Sequence, residues 1–300
     1  MALVPFDDRD GFIWLNGEFV PWREAKTHVL THALHYGSSV FEGERMYNGK
    51  VFKLREHTER LFRSAELLDF TIPYTVEEID AATIAACEKA GLTDCYIRPV
   101  AFRGPEQIGV SAQNTRVHVA IAVWAWPSYF DAETKKKGIR LNWAKYRRPD
   151  PATAPTASKA AGLYMICTLS KHAAERDGYS DAMMLDWRGY VAEATGANVF
   201  FIKDGVIHTP HVDGILDGIT RRTVIDLAQQ HGYEVIVRNI LPEELSQFSE
   251  CFLTGTAAEV TPVGQIGEYS FTPGVVCETL GSAYDRLVRG EDPLALKASA

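Results

Sequence analysis

Four short stretches hold residue types that chemistry needs. In Ser158-Lys159-Ala160-Ala161-Gly162 a lysine sits among small apolar neighbours, where a Pro-broken loop meets a helical pattern. An ammonium in such a place is most often a solvated surface charge. If the segment is buried, desolvation lowers the lysine pKa and yields a nucleophilic amine of the Schiff-base kind. Glu193 is a lone acid in Tyr190-Val-Ala-Glu-Ala-Thr-Gly-Ala-Asn198. Facing outward it is an ordinary strand residue; buried, it needs a cationic partner, for which a protonated pyridine nitrogen is one candidate. Leu216-Asp-Gly-Ile-Thr-Arg221 turns through glycine into a helix N-terminus, whose unpaired N–H groups suit a phosphate. Thr254-Gly-Thr-Ala-Ala-Glu259 is a second glycine turn whose N–H groups could meet an anion. Each stretch taken singly has a plain structural explanation. Their succession along the chain is the informative feature.

The elements that must position them fall into two parts. Phe12–Leu15 and Glu18–Val20 flank Asn16-Gly17, the signature of a tight hairpin turn. Asn48-Gly49 followed by Val51–Leu54 repeats the signal. The spacing of Leu61, Ala65 and Leu68 predicts an amphipathic helix over 57–68, and a second is predicted over 76–90. Strands are expected at 96–102 and 117–124, the latter as an apolar run buried on both faces. A connector with one Pro, one Gly and three successive lysines follows, giving expected domains of 1–124 and 138–300 joined by a loop at 125–137. Beyond it come a strand at 138–145, a helix from about 160 to 177, and a meander of short strands between 181 and 209 whose glycine turns imply antiparallel pairing. A helix at 221–231, a strand at 234–240, a helix at 242–248 and a strand at 251–254 complete an α+β unit.

Composition removes several classes of function. The chain has 300 residues, 46% apolar and 23% charged, the balance of a globular protein with a large core. A net charge of −8 lacks the positive footprint that displaces phosphate counterions, so no nucleic-acid partner is expected. No run approaches the ~20 apolar residues of a membrane span, and the N-terminus turns acidic before a secretory h-region can form. A cytoplasmic protein without a membrane partner is expected. The five cysteines are odd in number and widely spaced, without a C-x-x-C, which suits small buried hydrophobes and argues against a disulfide framework or a metal site.

The succession Leu34-His-Tyr36-Gly37-Ser-Ser-Val-Phe41-Glu42-Gly43, Arg55-Glu-His57-Thr-Glu-Arg60-Leu61, Tyr96-Ile-Arg98-Pro99, Ser158-Lys159-Ala160, Glu193 to Asn198, Gly218-Ile219-Thr220-Arg221 and Gly255-Thr256-Ala257-Ala258-Glu259 resembles the class IV aminotransferases. These are the fold-type IV pyridoxal-phosphate enzymes, and the likeness is nearest to their branched-chain amino-acid members. It spans roughly residues 10–270. The resemblance implies a two-domain α+β fold, with a small N-terminal α/β domain and a larger C-terminal domain built on an antiparallel-rich, barrel-like sheet. It implies pyridoxal 5'-phosphate as cofactor, with Lys159 as Schiff-base lysine and proton shuttle and Glu193 keeping the pyridine nitrogen protonated. Tyr164 would bond the phenolic oxygen, and Arg60, the N–H groups of Ile219 and Thr220, and Thr256 would bind the phosphate.

On the same resemblance, Phe41, Trp126 and Tyr129 would wall the substrate pocket beside Gly43, and Tyr36 with Arg98 would receive a side-chain carboxylate. Tyr96 and the N–H groups of Thr256 and Ala257 would take the α-carboxylate. The reaction implied moves the amino group of L-leucine, L-isoleucine or L-valine to 2-oxoglutarate by a ping-pong route. The alternative on the same fold is a D-amino-acid or (R)-amine transaminase, or an aminodeoxychorismate lyase. Ile108-Gly109-Val110 resembles a loop that reaches into a second subunit, implying a homodimer or higher homo-oligomer, and 124–137 would act as a lid. Glu44 departs from the pattern, standing where an aliphatic residue is expected. Facing the pocket entrance it would disfavour acidic substrates, unless Arg45 neutralises it.

Overall fold

The computed structural model describes residues 4–126 and 137–294. The chain divides into two compact units, Met1–Pro127 with Ser158–Gly162, and Ser128–Ala157 with Leu163–Ala300. The return of 158–162 to the first unit is marked by no shift in composition. It is held there by a β-bridge between Ala160 and Val40 and by a bond from the Phe41 amide to the Lys159 carbonyl at 3.2 Å.

The first unit is built on strands β1 (Phe12–Leu15), β2 (Glu18–Pro21), β3 (Ser39–Phe41), β4 (Glu44–Tyr47), β5 (Lys50–Val51), β6 (Cys95–Arg103) and β7 (Val117–Trp124), in the order β2-β1-β7-β6-β4-β5, with β3 also on β6. A short helix α1 (His32–Tyr36) precedes β3, and helices α2 (Leu54–Glu66) and α3 (Val76–Ala90) follow β5. Asn16 and Gly17 both take positive φ (52° and 97°), so the β1–β2 turn has the twist that fits a two-residue hairpin. Helix α3 starts where the sequence predicts, because Thr75 and Glu78 form a reciprocal capping box. The expected strand at 51–54 is cut short: Lys53 takes φ 51°, and α2 begins at the next residue. Strand β7 is not buried on both faces. Val119, Ile121 and Val123 enter the core while their neighbours are only half-buried, because a single layer of helix packs on this sheet.

The second unit comprises β8 (Ile139–Trp143), α4 (Tyr164–Arg176), β9 (Asp181–Leu185), β10 (Val191–Ala194), β11 (Asn198–Lys203), β12 (Val206–Thr209), α5 (Ile219–Gln230), β13 (Val235–Val237), β14 (Glu250–Gly255), β15 (Glu259–Ile266), β16 (Tyr269–Ser270) and α6 (Val275–Val288). The order β10-β9-β8-β15-β14-β11 closes on itself, since β10 also pairs with β11. The meander β9 to β12 is antiparallel as expected, whereas β8 runs parallel to both its neighbours, β9 and β15. The ring closes through one residue pair, Glu193 opposite Asn198. The helix expected from 160 is shorter: Ala160 is engaged in its bridge, Ala161–Leu163 form a 3-10 turn, and α4 begins at Tyr164. The stretch 242–247 is a 3-10 turn, not an α-helix, and β15, β16 and α6 were not foreseen. Buried Glu250 accepts from the amides of Val276 (3.4 Å) and Cys277 (2.9 Å), matching a carboxylate to the positive end of α6. All five cysteines are buried and unpaired, as the sequence implied.

Glu44 does not face a pocket. It lies opposite Ile97 in the β4–β6 register, so pleat alternation turns it to the helix-covered core, while Arg45 lies opposite Tyr96. It is 1% exposed, and its Oε2 has no hydrogen-bond partner. Burial pushes its carboxyl well above the ordinary value of 4.5, and the nearby charges of Glu42 and Asp80 add to that. The folded state therefore holds a proton that the unfolded chain releases, and stability is full below pH ~4.5 and falls as pH rises toward the folded pKa. Glu44→Gln should remove this slope. Its gain over the parent in urea unfolding should be near zero at pH 4 and grow by up to about 1.4 kcal/mol per pH unit above that. Parallel stability curves for the two proteins would show that Glu44 carries no such proton.

Candidate active site

In the first unit Lys159 is held by its backbone. Its amide donates to Ser64 Oγ at 3.0 Å, and Ser158 Oγ donates to the Ser64 carbonyl at 2.9 Å, so helix α2 fixes both residues. The Lys159 side chain is half-buried, with Nζ 5.1 Å from the centre of the Phe41 ring. The Arg98 guanidinium lies 4.8 Å from the same ring centre. Arg98 Nη2 donates to the Tyr96 hydroxyl at 3.0 Å, and the Tyr96 ring packs against Trp126 at 4.9 Å. A β-carbon at position 43 would collide with the Tyr96 hydroxyl, which explains the glycine. Lys159, Phe41, Arg98, Tyr96, Gly43 and Trp126 thus form one cluster. Tyr36 is half exposed and stacks on His32 at 4.6 Å, a ring whose nitrogens bond Ser38 and the Gly109 carbonyl. Tyr129 and most of the expected lid lie outside the described residues.

Beside that cluster is an ion group built on Glu42, which is fully buried. Arg60 donates to it twice, Nε to Oε1 at 2.7 Å and Nη2 to Oε2 at 2.8 Å. His57 Nδ1 lies 2.7 Å from Oε2. Burial by itself would raise the Glu42 carboxyl, but the charge and hydrogen bonds of Arg60, helped by His57, hold it well below the usual carboxylate range. His57 is lowered by burial, with the Glu42 bond pulling the other way. An anionic Glu42 can only accept, so His57 Nδ1 carries the hydrogen.

In the second unit Glu193 is buried at the point where the ring closes. Arg148 Nε lies 3.1 Å from its Oε1, and Asn198 Nδ2 donates to its Oε2 at 3.2 Å. The same Asn198 amide donates to the Leu216 carbonyl at 3.0 Å, tying Glu193 to the loop that leads into α5. A β-carbon on Gly218 would strike Asn198 Oδ1, so the loop can approach only as glycine. Ile219 and Thr220 open α5, where first-turn N–H groups have no acceptor within the helix. Arg221 is buried and donates to the Pro210 carbonyl at 2.9 Å, anchoring that turn. Tyr164 and Ala257 line one cavity of about 350 Å³ with Thr195 and Gly196, and Thr256 precedes Ala257 in the half-buried β14–β15 turn. Within this unit a buried carboxylate, a phenol and a helix N-terminus are groups that suit a phosphorylated, nitrogen-containing ring.

Residues 39–266 match the family described as amino-transferase class IV. The chain belongs to the class IV aminotransferases. A branched-chain-amino-acid aminotransferase of Pseudomonas aeruginosa is 44% identical to this class IV chain over 95% of each sequence, and one of Escherichia coli K12 is 40% identical over 93% of this chain and 94% of its own. Among solved structures, the T.th. branched-chain amino acid aminotransferase with pyridoxamine 5'-phosphate superposes with a TM-score of 0.92 at 41% identity, covering 95% of this chain and 96% of that one. The Escherichia coli enzyme gives 0.91 at 39% identity with the same coverage. The fold-type IV architecture read from the sequence is therefore the fold of this aminotransferase.

Two buried charged residues, one in each unit, escaped the sequence reading. Arg148, in Arg147-Arg148-Pro149-Asp150, was given no role, yet it is 4% exposed. Glu42 was noted only as part of a motif. The one available signal for each was the need of another buried charge for a partner, Glu193 in the first case and Arg60 in the second. Removing Arg148 leaves the Glu193 carboxylate buried without its cation. Arg148→Met should therefore lower the unfolding free energy by about 3–5 kcal/mol in urea titration. Adding Glu193→Met should recover most of the loss, and additive losses would count against this pairing.

Proposed function

We propose that this chain is a pyridoxal-phosphate-dependent aminotransferase acting on branched-chain L-amino acids, with 2-oxoglutarate as amino acceptor. What carries the reading is the Phe41 ring, shared by the Lys159 amine and the Arg98 guanidinium. An amine for covalent attachment and a cation for substrate recognition stand over one apolar surface in a chain of this family. Glutamate and leucine must use the same pocket in turn. A wall of Phe41, Tyr96 and Trp126 with one cation suits both an aliphatic side chain and a γ-carboxylate.

Pyridoxal phosphate supplies, when bound, an electron sink for the charge left at the substrate α-carbon when its proton departs. Lys159 would hold the cofactor covalently at rest, and its amine Nζ, when free, would take the substrate α-proton. Glu193, with Arg148 and Asn198 holding its carboxylate, pairs with the ring nitrogen. Tyr164 bonds the phenolic oxygen. Arg60, the amides of Ile219 and Thr220, and Thr256 hold the phosphate, while Tyr96, Thr256 and Ala257 take the α-carboxylate. Tyr36, with Arg98, would receive a side-chain carboxylate. One oxo acid leaves before the second arrives, which gives ping-pong kinetics. The exposed apolar residues Val29, Leu34, Ile108 and Val110 suit a homodimer contact. A cytoplasmic location belongs to the same proposal, and five buried, unpaired thiols suit its reducing conditions. Among the described residues no helix is long and apolar enough to cross a membrane.

Purified protein given L-leucine, L-isoleucine or L-valine with 2-oxoglutarate should form glutamate, with parallel lines in double-reciprocal plots. Turnover of D-alanine or an (R)-amine in place of all three would refute the substrate assignment. Lys159→Ala should abolish glutamate formation, by at least about a thousandfold, while its melting temperature stays near that of the parent. Residual turnover close to the parent's would remove Lys159 from the role given to it.

A further inference from the structure

The Glu42 group has no assigned part in the function above, and it is expensive to build. Its carboxylate is fully buried, and a buried carboxylate is tolerated only when paired and hydrogen-bonded. Here both oxygens are used. Oε1 receives Arg60 Nε, and Oε2 receives Arg60 Nη2 and His57 Nδ1. A guanidinium is planar with five N–H donors in a rigid fork, so two parallel bonds to one carboxylate fix both its position and the plane of its remaining donors. Arg60 and His57 come from one face of α2, and the same helix holds Lys159 through Ser64. Glu42 itself is anchored by its own amide's bond to the Pro99 carbonyl at 2.9 Å.

We propose that Glu42 is a positioning residue that aims the Arg60 guanidinium at the phosphate of the cofactor, and thereby sets how strongly the protein prefers a phosphorylated B6 aldehyde to the unphosphorylated one. This rests on the reading above that Arg60 meets that phosphate. The pairing also changes what Arg60 can offer. Its Nε–Nη2 edge belongs to Glu42, so the orientation in which Arg60 would meet a phosphate is already fixed by the protein. Orientation, and not charge alone, is then the contribution. Glu42 partly offsets the positive charge of Arg60, so a purely electrostatic role for Arg60 would be strengthened by losing Glu42, whereas an orienting role is weakened by it. The two accounts predict opposite signs.

The test is the ratio of dissociation constants for pyridoxal and pyridoxal phosphate, measured on the full-length protein stripped of cofactor, by absorbance and by quenching of tryptophan fluorescence. Circular dichroism and melting temperature report folding separately. Arg60→Met should reduce the preference for the phosphorylated form by about ten- to a hundredfold, the worth of a charge-assisted hydrogen bond. Glu42→Gln should reduce it by about tenfold or more with pyridoxal binding unchanged, and the double variant should lose no more than Arg60→Met alone. Arg60→Lys keeps the charge without the fork, and should lose the preference nearly as fully as Arg60→Met. If Arg60→Met leaves the preference intact, Arg60 is not a phosphate ligand and the underlying reading fails. If Arg60→Met loses it while Glu42→Gln retains or increases it, only the positioning role is overturned. Should Glu42→Gln not fold, Arg60→Lys decides: a preference equal to that of the parent overturns the proposal.

Discussion

A ring of strands has to close somewhere, and in the second unit it closes through the backbone of Glu193 and Asn198 and through their side chains as well. A buried carboxylate at a seam is a liability unless its charge is met where it stands. Arg148 meets one oxygen and Asn198 the other. Asn198 then reaches on to the loop before α5, so one amide group joins the barrel seam, the acid and the start of a phosphate-suited helix. Loosen that carboxylate and the register at the seam, the loop and the helix entry are all affected, because they share hydrogen-bond partners.

The first unit is organised in the same way around Glu42, with a different outcome. There the anion fixes a guanidinium and an imidazole against α2, and α2 in turn fixes the backbone of the lysine segment. Both units therefore place an acid in the interior and let its hydrogen-bond demand orient the groups around it. Glu44 shows the contrast. It is equally buried but has no partner at Oε2, and burial pushes its carboxyl well above the ordinary value. Two acids two residues apart in sequence are thus shifted in opposite directions, Glu42 down by its bonds to a guanidinium and an imidazole and Glu44 up by burial.

Much of this was legible in the residues. Lys159 and Glu193 stood out as charged groups among small apolar neighbours; Glu193 is buried and Lys159 half-buried. The hairpin at Asn16-Gly17 and helix α3 followed from turn and cap chemistry that acts over four or five residues. What stayed hidden depends on long-range pairing. Arg148 went unremarked because its partner is forty-five positions away in sequence. The closure of the ring could not be read because the meander pattern specifies neighbours without specifying which strand returns to the first. Strand β15 is interrupted in pattern by Pro262 and a glycine, and α6 takes its N-terminal cap from Glu250 on another element. The burial of Glu44 was missed for a related reason: its direction depends on the β4–β6 register, which a single strand does not declare.

The short return of residues 158–162 to the first unit bears on how the molecule is made. A ribosome releases the chain from its N-terminus, and early domains generally begin to fold before later ones exist. Here the leading unit is complete in sequence by about residue 127 yet lacks the strand segment that bridges Val40 until Ala160 has emerged. The growing polypeptide must therefore carry an unfinished edge through some thirty further codons, and the residue that closes it directly follows Lys159. Closing the edge of the first unit and seating the Lys159 backbone are one event in the biogenesis of this enzyme.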